Sequence, residues 1–449
     1  MMDAIETNAD VVKSTLRDID WSRKARPVRP ALDFLPERGI ALVSVPLFQN
    51  GAGGPQPYTV ISTPDQRLCL PTSELPMRTT GMPIFFDSHS RWRETELRLF
   101  LEGLYVRPAP AELFSQLVGV FEKYLDLGTP AEARLLAAWT MTTYWTGLWP
   151  ACAYLKIEGP KSSGKSRLLS ILSHMVWSPA LVSNCTPAAL VRLTNSGVTV
   201  LVDEQESIGA ASQRELRLVL QAGYRQAGGD VVRAVGRRLA RYAVFGPKVL
   251  ASILPLPADG VLASRCIVLK MHPSTNMAKV SLRLDENSED WASLRAALYA
   301  TSLMSWSDVL AAEVPALPGV LPRTSEIFGS GLFQVAQLVD PTGALTAELA
   351  VYAAQANAPV VGPVSLTADE KKVVTALAGM PNDGQEHWLT NSQIKQAITA
   401  RFPELTALTT SELGLMLAKH RLWMKRRHTP EGKVYLLDLE RVIGLSNLP

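Results

Sequence analysis

The sequence predicts an α/β fold in which a parallel sheet carries a phosphate-binding loop, with a small mixed module before it and a helical module ending in a hairpin after it. Three observations predict this. Gly159-Pro160-Lys161-Ser162-Ser163-Gly164-Lys165-Ser166 fills each fixed place of the loop pattern G-x-x-x-x-G-K-[ST], between a strand-like run at Tyr154 to Glu158 and a helix-like one. Farther along, Val198-Thr199-Val200-Leu201-Val202 reads as a buried strand and ends in Asp203-Glu204. Between Ala153 and Met271 strand and helix patterns alternate, as a parallel sheet covered on both faces requires.

Composition sets the bounds. The 449 residues leave room for about three domains, and 47% hydrophobic with 19% charged describes a globular chain rather than a disordered or fibrous one. A formal net charge of +3 is too small to define a partner, so any nucleic-acid contact has to come from local basic clusters. The four scattered cysteines, Cys69, Cys152, Cys185 and Cys266, lack C-x-x-C spacing; they fit neither a zinc site nor a disulfide framework and point to a reducing cytoplasm. The chain opens on charged residues without an apolar core, unlike a signal peptide. The apolar run Leu135 to Leu155 contains threonines and Pro150 and leads directly into the phosphate loop, so it reads as a buried helix feeding the sheet, not a membrane span.

In chain order, Ile40 to Leu47, Tyr58 to Ile61 and Arg67 to Leu70 read as strands and Trp92 to Leu104 as an amphipathic helix. They predict a mixed module over 1–108 whose role is not legible. Helices at Pro110 to Leu125 and Pro130 to Trp145 open a central domain over 109–345. Their aromatics and the one that follows, Trp139, Tyr144, Trp145 and Trp149, read as helix-packing core rather than a base-stacking platform.

The loop residues state their chemistry directly. Its glycines let backbone N–H groups face the β- and γ-phosphates of ATP, Lys165 neutralises them, and the Ser166 hydroxyl stands at a helix N-terminus ready to ligate Mg²⁺. Asp203, at the carboxyl end of its strand, is expected to hold the Mg²⁺ water shell and Glu204 to orient the attacking water. After a helical stretch from Gln213 to Gln226, two alternating runs around Gly236-Arg237-Arg238 predict a hairpin. Arg233, Arg237, Arg238 and Arg241 suit contact with a phosphate backbone; a solvated basic ribbon, or one paired with acids of a neighbouring subunit, would show the same pattern. Phe245 to Ile253 follows as a buried strand, and Arg265 stands just before the last strand.

Residues 346–366 read as a linker. Over 367–449, boxes at Thr367-Ala368-Asp369-Glu370 and Thr409-Thr410-Ser411-Glu412 open helices on either side of another at Asn391 to Arg401, and Leu422 to Arg427 with Val434 to Leu437 form a hairpin. Three helices followed by a hairpin describe a winged helix. Lys419, Arg421, Lys425, Arg426, Arg427 and Lys433 gather where duplex binding needs charge, although such modules also dock proteins.

Taken together, Gly159 to Ser166, Val198 to Glu204, the hairpin before the fourth strand and Ser264-Arg265-Cys266 resemble AAA+ ATPases, in the branch with a pre-sensor-1 β-hairpin that includes minichromosome-maintenance and superfamily 3 helicases. The order I-E-G-P-K-S-S-G-K-S, L-V-D-E, G-Y-R-x-G-G, F-G-P-K-V-L-A and S-R-C-I-V is similar to helicase-like ATPases of phages, plasmids and integrated elements, from Tyr124 to Asp340. The resemblance implies a P-loop AAA+ parallel-sheet core and a homo-oligomeric ring, commonly a hexamer, with ATP between subunits. It casts Arg265 as an arginine finger reaching the neighbour's γ-phosphate and Arg323 as a second nucleotide-sensing arginine. Where the family usually has Asn at the end of the fourth strand, this chain has Ala251-Ser252, leaving Ser252 to hydrogen-bond the attacking water.

The activity implied is ATP hydrolysis coupled to translocation along DNA or its unwinding. Single-stranded DNA would occupy a central channel and duplex the winged helix, in replication of a mobile element with any primase a separate partner. An ATP-switched initiator or loader, and a protein-remodelling NTPase, are the other functions compatible with these residues.

Overall fold

The computed structural model describes residues 27–48, 55–85, 91–183, 185–203, 214–236, 238–253, 256, 261–285, 287–314, 325–357, 368–380, 388–419, 422–429 and 432–446. The chain divides into two compact units, Met1–Ala358 and Pro359–Pro449.

The first unit opens with an antiparallel meander of β1 (Leu32–Leu35), β2 (Ile40–Phe48), β3 (Pro55–Ser62) and β4 (Arg67–Pro71). β2, β3 and β4 lie where alternation predicts strands; β1 was hidden by Asp33, whose carboxylate accepts from the backbone N–H groups of Arg29 (2.8 Å) and Phe34 (2.9 Å). One face of the meander packs Ile40, Leu42, Ile61 and Leu70 into a small core of its own, and the other joins the main core through Ala41, Val43, Val45 and Val60.

Helices α1 (Glu94–Leu101), α2 (Pro110–Tyr124) and α3 (Pro130–Thr143) follow, and α3 begins at a Thr129/Glu132 capping box. Trp139, Tyr144, Trp145 and Trp149 are all buried, as a packing role requires. A buried indole usually sets its N–H on an acceptor. Trp139 Nε1 donates to the carbonyl of Ala153 and Trp145 Nε1 to that of Ser302, each at 3.1 Å.

The central sheet contains β5 (Tyr154–Glu158), β6 (Pro179–Val182), β7 (Thr199–Val202), β10 (Lys248–Ser252) and β11 (Cys266–Lys270), in the spatial order β11-β5-β10-β7-β6. Every pairing is parallel. Helices α4 (Lys165–Met175), α5 (Pro187–Asn195) and α6 (Arg214–Ala222) lie in the connections. Between β7 and β10 the chain also makes a separate antiparallel hairpin of β8 (Asp230–Val235) and β9 (Arg238–Ala243). Val235 pairs with Arg238, leaving a two-residue turn whose Gly236 has φ +59°, the left-handed conformation such turns demand.

Beyond β11 come α7 (Met277–Ser281), the long α8 (Trp291–Ala311), a π-helical stretch at Ser325–Phe333, α9 (Gln334–Val339) and α10 (Ala344–Asn357). Residues 346–357 of the expected linker thus belong to a helix, with Leu349 and Ala353 buried and Glu348 held by Arg134 Nε at 2.7 Å. Two buried arginines close the far end of α4. Arg91 donates to the carbonyls of Ser173 and Val176 (3.3 Å each) and Arg295 to that of His174 (3.5 Å), meeting the negative end of the helix dipole.

The second unit consists of α11 (Ala368–Ala378), β12 (Trp388–Thr390), α12 (Asn391–Arg401), α13 (Thr410–Lys419), β13 (Trp423–Thr429), β14 (Gly432–Leu437) and α14 (Leu439–Ser446), with sheet order β12-β14-β13. Its core joins Val373, Leu377, Ile394, Ile398, Leu413 and Leu417. The box at Thr409 forms: Glu412 accepts from the Thr409 N–H at 2.8 Å while Thr409 Oγ1 accepts from the Glu412 N–H at 3.2 Å. β12 and α14 are additions to the expected three helices and hairpin.

Among the described residues no helix is long and apolar enough to cross a membrane. All four cysteines are buried and free, and burial pushes the thiols of Cys69, Cys152 and Cys266 up to about 12. Trp145→Ala should remove an indole that bridges α3 to α8 and cost about 3–5 kcal/mol. Urea unfolding followed by far-UV circular dichroism checks it, with a lowered midpoint expected.

Candidate nucleotide site

The loop between β5 and α4 has the shape its sequence requires. Gly159 leaves β5 with its N–H donating to the Ser252 carbonyl at 3.3 Å, and a Cβ there would lie 2.4 Å from the carbonyl oxygen of Met271 and 2.7 Å from Ser163 Oγ. Only glycine fits. Ser162 has φ +63° and Gly164, the N-cap of α4, φ +89°, so the backbone curls around a concavity into which the first N–H groups of α4, lacking intrahelical acceptors, can point. Lys165 Nζ donates to the carbonyls of Gly159 (2.7 Å) and Pro160 (2.8 Å), placing its charge across the loop.

These features fit a triphosphate. A glycine-lined turn, a helix N-terminus, an ammonium group and a buried Ser163 hydroxyl with no hydrogen-bond partner among the described residues together offer donors and positive charge at the loop.

The sheet delivers two more groups to the same edge. Asp203 follows β7, its N–H donating to the Val182 carbonyl at 2.9 Å, and its Oδ2 accepts from Ser166 Oγ at 2.9 Å. Ser166 and Asp203 are therefore one unit, as a shared Mg²⁺ site requires. Ser252 ends β10, is 1% exposed, and its hydroxyl receives a hydrogen bond from Lys156 Nζ. Lys156 is fully buried at the centre of β5 and was missed at the sequence level. A lysine inside an apolar strand run, Tyr-Leu-Lys-Ile, was the available signal, since an amine is buried only where a partner waits for it.

From the loop a cleft of about 490 Å³ extends between the end of α2 and the segment after β11, lined by Tyr124, Asp126, Arg167, His272, Met277 and Val280 among others. These walls come from segments remote from the loop in the chain and carry no local pattern that marks them.

Arg265 lies elsewhere. β11 runs parallel to β5 with Cys266 opposite Tyr154, so Arg265 stands at the strand-start edge while the phosphate loop follows the strand ends. Five strand residues separate those edges by roughly 15 Å, beyond an arginine's reach. The guanidinium packs 4.1 Å over the Tyr224 ring, donates to the Gln221 carbonyl, and leaves the residue 9% exposed.

On the hairpin, Arg233 pairs with Glu215 (2.8 Å) and Arg241 with Asp230 (2.5 Å), whereas Arg238 is exposed with no ion pair seen among the described residues. Lys425, Arg426 and Arg427 lie on β13. Glu204, Arg237 and Arg323 lie outside the described residues.

No protein-family model matches the chain. No curated protein matches it either. Among solved structures it is similar to the A-form apo structure of the NrS-1 C-terminal region (11% identity, TM-score 0.34, covering 85% of this chain and 94% of that one). It is also similar to a full-length MCM homolog from Methanopyrus kandleri (12% identity, TM-score 0.35, covering 79% and 86%). These likenesses assign neither activity nor partner.

Gly159→Ala should leave the fold intact but distort the loop, because the methyl group meets backbone on one side. Titration with ATP should show binding weakened at least about tenfold, with the loss of roughly one good hydrogen bond.

Proposed function

We propose that the protein is a ring-forming AAA+ ATPase of the cytoplasm that couples ATP hydrolysis to movement along DNA or its unwinding, in the replication of a mobile element. The observation that carries this reading is the convergence of the phosphate loop and the Ser166–Asp203 pair on one sheet edge, with a basic hairpin inserted between the strand that leads to Asp203 and the strand that ends in Ser252.

The loop N–H groups and Lys165 bind and orient the β- and γ-phosphates. Ser166 and Asp203 would hold Mg²⁺, which when bound shields phosphate charge. Glu204 orients the water whose oxygen bonds to the γ-phosphorus as the bond to the β,γ-bridging oxygen breaks, yielding ADP and phosphate. Ser252, fixed by Lys156, stands beside the loop at the end of the adjacent strand. Arg265 serves a neighbouring subunit, since its own loop is at the opposite sheet edge. Arg323 senses nucleotide from the segment before the π-helical stretch.

Coupling runs along β7 into the hairpin. Arg233 and Arg241 are engaged by Glu215 and Asp230, which makes them braces of the hairpin and leaves Arg237 and Arg238 to touch single-stranded DNA in the channel of a hexamer. The second unit has the element order of a winged helix, and Lys425, Arg426 and Arg427 on β13 suit a duplex backbone. A primase would be a separate chain. One observation favours the alternative of an ATP-switched loader: Arg265 is sequestered on Tyr224 within its own subunit, as a group released only on assembly would be.

Steady-state ATP hydrolysis, measured with and without single-stranded DNA while oligomer mass is followed, tests the motor reading. A several-fold rise with DNA in a ring-sized assembly is expected, and Arg238→Ala should reduce that rise and lower the salt slope of DNA binding by about one. Turnover indifferent to DNA would favour the loader or a protein-remodelling role. Arg265→Ala should hydrolyse ATP poorly while still binding it, and mixing it with Glu204→Gln subunits should restore activity through composite sites. Absence of rescue at every mixing ratio would remove Arg265 from the neighbour's chemistry.

A further inference from the structure

Resting on the nucleotide-site reading above, we propose that Arg167 positions the nucleoside-binding half of the cleft. It is the residue directly after Ser166, in the first turn of α4, and its side chain reaches away from the phosphate cradle into the two walls beyond it. Nη1 donates to the carbonyls of Lys279 (2.7 Å) and Tyr124 (3.5 Å), and Nη2 to those of Val280 (3.0 Å) and Leu282 (3.2 Å). One guanidinium thus gathers four carbonyl oxygens from segments with no local connection, the end of α2 and the stretch containing α7.

Other bonds close the same two walls. Lys279 Nζ donates to the Leu125 carbonyl at 2.8 Å, and Ser274 Oγ to the Asp126 carboxylate at 2.7 Å. α7 has only five residues, too few to persist as a helix without tertiary support. Its position is therefore set by these bonds. Two of its side chains show what the wall is for: Met277 and Val280 line the cleft yet are 70% and 43% exposed, a small apolar surface beside a phosphate cradle. A triphosphate seated in the loop directs its ribose and base into the cleft that these residues line, and a flat base covers such a surface.

Arg167 lines the cleft with its guanidinium engaged by carbonyls of both walls, and it acts through those walls as a positioning residue. Its planar fork supplies several divergent N–H donors at once, which a lysine ammonium cannot place on four carbonyls of two segments. Because Arg167 and Ser166 are consecutive, the same helical turn fixes both the phosphate end and the nucleoside end of the site.

The test compares the full-length wild type with Arg167→Lys and Lys279→Met, measuring KM and kcat for ATP, inhibition by inorganic tripolyphosphate, and the unliganded melting temperature. Tripolyphosphate reports the loop alone; ATP reports loop and walls together. Arg167→Lys should raise KM for ATP roughly tenfold, about one charge-assisted hydrogen bond, with kcat changed less than about twofold and tripolyphosphate inhibition unmoved. Lys279→Met should act in the same direction more weakly, and it decides alone if Arg167→Lys does not fold. Parallel loss of ATP and tripolyphosphate binding would show that Arg167 holds the loop itself, and an unaltered KM in both variants that it holds nothing relevant; either overturns the proposal. A wild type that binds neither compound removes the nucleotide reading first, before any variant is compared.

Discussion

The placement of β5 between β10 and β11, parallel to both, decides where each polar group of the site can stand. Register fixes Ser252 opposite Glu158, and the next residue, Gly159, begins the loop while hydrogen-bonded to Ser252's own carbonyl. β7 lies alongside β10 in the same direction, so the carboxylate that follows it arrives at the same edge and meets Ser166. The same parallelism sends Arg265 to the other edge. One chain therefore presents the candidate phosphate edge and, on its far side, an arginine that cannot reach it. Chemistry that needs both requires two subunits.

The loop helix is held at both ends by opposite means. Its N-terminus is open to anions, while its last carbonyls are covered by Arg91 and Arg295, buried cations that complement the negative end of the dipole. Arg91 precedes α1 and Arg295 belongs to α8. Elements outside the sheet thereby set the axis of the helix that begins at the candidate phosphate loop. This gives the chain around α1, whose role the sequence leaves unread, a definite structural duty.

What could be read from the sequence was what local pattern encodes: the loop, the strand before Asp203, the turn at Gly236, the capping box at Thr409 and the buried aromatics; the box expected at Thr367 lies outside the described residues. What could not be read depends on partners distant in the chain. Arg233 and Arg241 look alike with Arg238 in sequence, and only folding brings Glu215 and Asp230 to the first two. Lys156 is a buried amine whose acceptor lies on another strand. The walls of the cleft are joined by bonds from Arg167 and Lys279 across more than a hundred residues. The helix over Ala344–Asn357 was hidden because its alanine-rich run passes into a stretch bearing Pro and Gly and reads with it as a linker, whereas buried apolar contacts such as Leu349 and Ala353 hold it in place. β1 was hidden in turn by one buried aspartate that spends its oxygens on backbone N–H groups.

The four buried cysteines have a practical meaning of their own. Burial raises every one of their thiols, so at neutral pH hardly any thiolate is available to an electrophile. The native chain is consequently a nearly silent background for sulfhydryl chemistry. A single cysteine introduced at an exposed position of the hairpin could be tagged with a maleimide dye without first stripping out the natural ones, and the movement of that strand pair could be watched by fluorescence in an otherwise unaltered protein.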